Sequence, residues 1–277
     1  PEDTHDAFLA HLAMEVATLD DPERVLRFVC EQMGRHLGLA RVGYASLEED
    51  DLTIRIDDWT DGVPSMAGNY QTDPASPTMT AYRRGETLIR EDWNAPGAPG
   101  EPEMDRQHML ATGNGSTVGV PHVRDGRLHG IFAIHDRQPR TWRQDEIALT
   151  ERVANFTRRA LDHVHAIAKL RESEEQFRTM ADNMPAICWV SGKDGVAHWM
   201  NRSGTDFFGK LENRVEAVIH PDDAAMVGDS WARAREAEEP LEMTVRTRGA
   251  DGIYRPLLSR AHPIRDASGA VVRWCGV

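Results

Sequence analysis

From Trp142 the chain carries a helical pattern for roughly 40 residues, and it stops where Met184 meets Pro185. At ~1.5 Å of rise per residue this is a rod about 60 Å long. Proline disfavours the helical region for the residue before it, so Met184 marks the end. Along the rod, Leu149, Val153, Phe156, Ala160, His163, Ile167, Leu170, Glu174, Phe177, Ala181 and Met184 succeed one another at alternating steps of four and three. His163 and Glu174 are the polar exceptions. A seam of this period on a helix longer than about 25 residues predicts packing against a partner helix. Val153, Phe156, Ala160, Ile167, Leu170 and Phe177 are the residues expected at a homodimer seam. The stretch before Leu161 can also serve as an ordinary amphipathic face lying on its own domain.

Short elements flank the rod. Residues 5–19 and 22–37 show i, i+3/i+4 apolar spacing, with Pro22 in a first turn and Gly38 at a stop, and read as helices. "ARVGYASLEEDDLTIRIDDW" alternates on either side of Glu48–Asp51, which predicts a hairpin. Residues 61–75 read as loop. "SPTMTAYRRG" is a short helix capped by Ser76, and "ETLIRED" a strand. The loop "NAPGAPGEP" (94–102) precedes another short helix. "STVGVPHVRDGRLHGIFAIHD" forms two strands around Asp125-Gly126. Beyond the rod come a strand, a turn at Asp194-Gly195, a second strand, two helices beginning near "NRSG" and "HPDD", and three strands separated by Asp251-Gly252 and Ser268-Gly269. The order β-β-α-α-β-β-β gives an α+β fold class. Two domains are expected, each with a central antiparallel sheet flanked by helices, joined by the long helix.

At 277 residues the chain suits two domains of ~150 residues each. No apolar run reaches the ~18 residues of a membrane span. No basic and then apolar opening segment suggests a signal peptide. A formal charge of −13 argues against a nucleic-acid partner. Three cysteines without a CxxC pair point to a reducing, cytoplasmic setting and away from a thiolate zinc site. His122, His129 and His135 lack metal-binding spacing, so no metal site is expected.

Residues 172–277 resemble a PAS domain of the bacterial sensor histidine kinase type, through "SEEQFRTMADNMPAICWVSGKDG", "MNRSGTDFFG", "HPDD" and "RTRGADGIYRPLLSRAHPIRDASGAVVRWCGV". Residues 1–168 are similar to a GAF domain, chiefly through "VPHVRDGRLHGIFAIHDRQPRTWRQDEIALTERVANF". On this division the connecting helix covers about 142–183. Between Gly209 and His220 the chain has only "KLENRVEAVI", shorter than the pocket-walling segment usual in PAS domains.

The GAF resemblance implies a small-molecule ligand between sheet and loops, with Tyr44, Trp59, Tyr70, Trp93, His108, Met109, Val120, Phe132 and His135 as candidate lining. In the PAS half Trp189, Trp199, Phe207, Phe208 and Trp231 are the candidates. The cofactor is left unknown. A thioether-linked bilin is not expected, because Cys30 is the first domain's only cysteine and lies on an early helix. A reactive-cysteine flavin site is not expected either, since "NRSGTDFFG" carries no cysteine. His220 belongs to a helix start and is not read as a haem ligand. A thiol-based reductase on the GAF fold would need a second cysteine beside Cys30.

The resemblance implies a sensory input module of a cytoplasmic bacterial signalling protein, foremost a two-component histidine kinase, relaying a stimulus through a dimeric helix. A phospho-acceptor histidine motif, an ATP-binding box and cyclase residues are lacking, so a downstream output domain is expected outside this chain. The alternatives are a ligand-free dimerisation and relay scaffold, or the input module of a diguanylate cyclase or transcription regulator. No catalytic residue is assigned.

Overall fold

The computed structural model describes residues 2–48, 53–96, 103–209 and 218–277. It divides into two compact units, Pro1–Ala168 and Lys169–Val277. The predicted turn after Glu48, most of the 94–102 loop and most of the shortened segment after Gly209 lie outside the described residues.

The first unit opens with α1 (Glu2–Val16) and α2 (Pro22–Leu37). Asp21 caps α2 by accepting from the amides of Glu23 and Arg24, and Gly38 ends it in the left-handed region at φ 63°. The sheet strands are β1 (Arg41–Leu47), β2 (Thr53–Thr60), β3 (Gly68–Gln71), β4 (Leu88–Arg90), β5 (Ser116–Arg124) and β6 (Arg127–Asp136). They form an antiparallel sheet in the order β3-β2-β1-β6-β5-β4. The β3 strand falls inside the stretch read as loop from the sequence. It is a short edge strand held by pairing with β2. Asp125 and Gly126 both have positive φ, 51° and 75°, as the tight turn between β5 and β6 requires. Two short helices, α3 (Pro77–Arg83) and α4 (Glu103–Ala111), fill the connections.

Strand alternation gives the sheet two different faces. One carries Val42, Tyr44, Val118, Val120, Phe132 and Ile134, in a core shared with Leu12 of α1, Val25, Val29 and Met33 of α2, and the long helix α5 (Gln144–Asp182). Each such side chain, fully buried, contributes about 1.5–3 kcal/mol. The other face packs Met79 and Tyr82 of α3 against Leu128 and Ile131.

The dimer seam read from the sequence divides along α5. Val153 is fully buried in its own unit's core, and Phe156 and Ala160 pack against that core. Leu161 and Val164 continue this contact for another turn. Ile167 is half-buried, and beyond it Leu170, Phe177 and Met180 are 69%, 58% and 66% exposed.

The second unit contains β7 (Trp189–Gly192), β8 (Ala197–Met200), α6 (Arg202–Phe208), α7 (Ala224–Ala237), β9 (Leu241–Arg248), β10 (Tyr254–Arg265) and β11 (Val271–Gly276). Its sheet runs β8-β7-β11-β10-β9, antiparallel throughout. A single 3-10 turn, Pro221–Asp223, leads into α7. Asn201 is fully buried and uses its whole amide. Its Nδ2 donates to the carbonyls of Ala181 and Ala186 at 2.8 and 2.9 Å. Its Oδ1 accepts from the amides of Cys188 and Gly204 at 2.9 and 3.1 Å. One side chain thus fastens the end of α5, the entry to β7 and the start of α6.

Candidate functional site

On the loop side of the first sheet, Gly43, Ala133 and Gly119 stand in register on β1, β6 and β5. Three small residues in a row leave a depression in the sheet surface. Tyr82 roofs one end, and a Cβ on Gly119 would lie 2.1 Å from its hydroxyl oxygen, so only glycine fits.

The next row is Arg41, His135 and Thr117. Arg41 Nε lies 3.1 Å from Asp58 Oδ2, and both side chains are 1% exposed. The guanidinium also donates to the side chain of Asn114 and to the carbonyls of Pro64 and Thr112. Burial pulls its pKa down, while Asp58 and Tyr70 pull it back. Asp58 in turn accepts from the Met66 amide at 2.7 Å. Asn114 Nδ2 is satisfied by the sulfurs of Met66 and Met109 and the hydroxyl of Thr112. This network therefore pins two loops to the sheet.

Thr117 Oγ1 accepts from Trp93 Nε1 at 2.8 Å and lies 2.8 Å from His135 Nδ1. Burial, and then the charge of Arg41, lower the pKa of His135 to about 3, so the ring is neutral.

The nine residues read from the sequence as one lining are divided by the sheet. Trp93, His135 and Met109 belong to the loop-side network, and the rings of Tyr70 and His108 meet at 5.5 Å. Tyr44, Val120 and Phe132 face the helices and line a cleft beside α5. Trp59 covers Gly34 of α2, where a Cβ would lie 2.0 Å from its ring. Phe132 and His135 are three apart on one strand, an odd spacing that already puts them on opposite faces. Arg41, Asp58, Asn114 and Thr117 escaped sequence reasoning. The signal available for Arg41 was a charge in an otherwise apolar strand start.

The five PAS candidates do not surround one cavity. Trp189 and Trp231 pack at 5.8 Å, and Trp231 meets the buried Trp274 at 5.5 Å, so these three rings make the core. Phe207 and Phe208 contact each other on α6. Trp199 points from the opposite sheet face, 5.7 Å from Phe177, into a groove of about 550 Å³ whose lining includes Val190 and Arg273.

Cys30 is buried in the helix-side core, where burial and then Asp58 and Asp57 raise its thiol far above the usual range. Among the described residues no three histidine, cysteine or acidic side chains gather as a metal site. No helix of the described residues is long and apolar enough to cross a membrane.

A GAF-domain family profile matches residues 21–161, and a PAS-fold profile matches residues 190–277. An uncharacterized protein of Sinorhizobium fredii is 26% identical over 113 residues, 39% of this chain and 14% of that protein. The methyl sulfide methyltransferase-associated sensor of Methanosarcina acetivorans is 29% identical over 118 residues, 42% of this chain and 12% of the sensor. The chain thus matches only a small part of the length of either relative. In fold, the first unit is similar to the phycoerythrobilin-bound GAF domain of a cyanobacterial phytochrome, with a TM-score of 0.51 at 16% identity over 61% of this chain and all of that one. A biliverdin-bound protein in its far-red absorbing dark state gives a TM-score of 0.50 at 15% identity, over 57% of this chain and 99% of that one. With a GAF profile spanning just over half its length and a PAS profile behind it, the chain belongs to the GAF-domain family and carries a PAS-fold domain in the same polypeptide.

Proposed function

We propose that this chain is the sensory input module of a cytoplasmic bacterial signalling protein, foremost a two-component histidine kinase, and that it works as a homodimer through α5. The observation that carries this reading is the helix itself. α5 is anchored in the GAF core by Val153, Leu161 and Val164, and its far end is fastened by Asn201 at Ala181. Between these anchors it leaves Leu170, Phe177 and Met180 exposed. A helix held at both ends that leaves apolar side chains uncovered between them suits a partner helix, and shifts of ~1–2 Å along such a pair are an established switching mode. The Methanosarcina relative, named as a sensor, supports the signalling role. Under this reading the division of labour is a GAF-like sensor at 1–168 and a PAS-like sensor at 172–277, with the output domain supplied elsewhere in the protein.

A relay that needs no ligand is the second reading. It is favoured by the Arg41–Asp58 network, whose paired groups occupy the loop side of the first sheet, and by the tryptophan core of the second unit. Autophosphorylation separates kinase from other outputs: the longer native protein, incubated with labelled ATP, should acquire an acid-labile phosphohistidine. A protein that stays unlabelled while making a cyclic dinucleotide or binding DNA would replace the kinase with those outputs.

A further inference from the structure

We propose that the cleft on the helix side of the GAF sheet is a binding site for a small monocarboxylate. The cleft has a volume of about 250 Å³. Tyr44, Val120 and Phe132 supply its sheet wall, and Glu151, Ala154 and Arg158 of α5 the other. It lies on the opposite face of the sheet from the Arg41 network.

His122, also in the lining, carries the first observation. Its Nδ1 lies 2.8 Å from the hydroxyl of the buried Tyr44. Burial raises the pKa of the phenol, which is therefore protonated. Burial also lowers the imidazole to about 4, with Arg158, His129 and Arg124 acting in the same direction and Asp162 opposing them. Both groups are thus neutral near pH 7. The phenol has no other hydrogen-bond partner among the described residues, so it donates to Nδ1, and the single ring proton sits on Nε2. That nitrogen is buried and finds no partner. Buried donors in native proteins are nearly always paired, so an acceptor from outside the chain answers this one. The ring is half-buried and Arg158 is partly exposed, and both side chains border the cleft.

Arg158 carries the second. Its guanidinium lies 3.7 Å from Asp162 Oδ2, an ion pair too long for a hydrogen bond. Asp162 is meanwhile bonded by Arg124 at 3.0 Å through its other oxygen. Arg158 therefore keeps N–H donors to spare beside the unpaired Nε2–H. A planar two-oxygen acceptor suits that combination, since guanidinium and carboxylate match as a fork.

The remaining walls set the size and charge. Glu151 accepts from Thr87 Oγ1 at 2.8 Å and places an acidic side chain within the site, which disfavours a dianion such as phosphate. A hydroxyl or amine on the ligand can reach Glu151, and a short carbon chain can lie on Val120, Phe132 and Ala154. The class is a short-chain carboxylate or its hydroxy or amino derivative. The β-bulge at His129 brings that ring to 5.6 Å from His122, a local irregularity of the kind found beside binding sites. This inference does not depend on the relay reading, and either can fail alone.

The test is ¹⁵N-detected imidazole NMR of the chain, titrated with sodium lactate, sodium acetate, lactamide and sodium chloride. Lactate and acetate should move the His122 Nε2 signal saturably, and lactamide and chloride should not. Arg158→Gln should weaken the lactate response at least ten-fold while the Nδ1 signal keeps its position. If that variant does not fold, Arg158→Lys, which keeps the charge without the fork, should still lose part of the affinity. No saturable shift with either carboxylate, an equal response to lactamide, or undiminished binding in the Arg158 variants would overturn the proposal.

Discussion

The side-chain amide of Asn201 donates to the carbonyl of Ala181 at 2.8 Å, tying the last turn of α5 to the start of α6. The contact sits where the helix ends at Asp182, three residues before Pro185 stops any continuation.

Replacing Asn201 with alanine removes four hydrogen bonds at once, to Ala181, Ala186, Cys188 and Gly204. Each is worth about 0.5–1.5 kcal/mol net, so Asn201→Ala should destabilise the second unit by at least about 2 kcal/mol. Hydrogen exchange should show the amides near residue 181 losing protection first. Unchanged exchange there would mean the fastening is not what holds the helix end.

The Arg41–Asp58 pair is almost fully enclosed. Removing one partner strands the other charge, so Asp58→Ala should cost about 3–5 kcal/mol in urea unfolding of the first unit. A double replacement with apolar residues of similar volume should remain costly, because it also takes from the Asn114 side chain, the carbonyls of Pro64 and Thr112 and the Met66 amide the partners that the pair supplies.

His135 gives the first unit an acid-sensitive stability. The unfolded chain takes up this proton near pH 6.5 and the folded chain only near 3. Between those values unfolding is accompanied by proton uptake, so stability falls as pH drops, by up to about 1.4 kcal/mol per pH unit for this group. Above pH 6.5 the group contributes no slope. His135→Gln should flatten the pH dependence between pH 6 and 4 in denaturant titrations, leaving the share due to His122.

Much of the fold was legible because its turns are chemically explicit. Asp125-Gly126, Asp194-Gly195 and Ser268-Gly269 each mark a reversal between apolar runs. The β3 strand was not legible, since four residues in a Gly/Pro/Asp-rich stretch become a strand only by pairing with β2. The candidate lining mixed two sheet faces because aromatic residues were pooled without regard to alternation. Tyr44, Val120 and Phe132 come together across three strands, which strand register alone decides. The long helix was readable in extent but not in allegiance. A four-three apolar seam has the same period whether it meets its own domain, as Val153 does, or is left uncovered, as Leu170 is.

In the proposed relay, α5 pairs with a second copy through the stretch that carries Leu170 and Phe177. The most direct measurement is sedimentation equilibrium of the chain, alongside a Leu170→Asp/Phe177→Asp variant. The unaltered protein should sediment at twice the chain mass, and the variant at the single-chain mass with its circular dichroism retained. A single-chain mass for the unaltered protein at every concentration, or a dimer indifferent to both substitutions, would contradict that pairing.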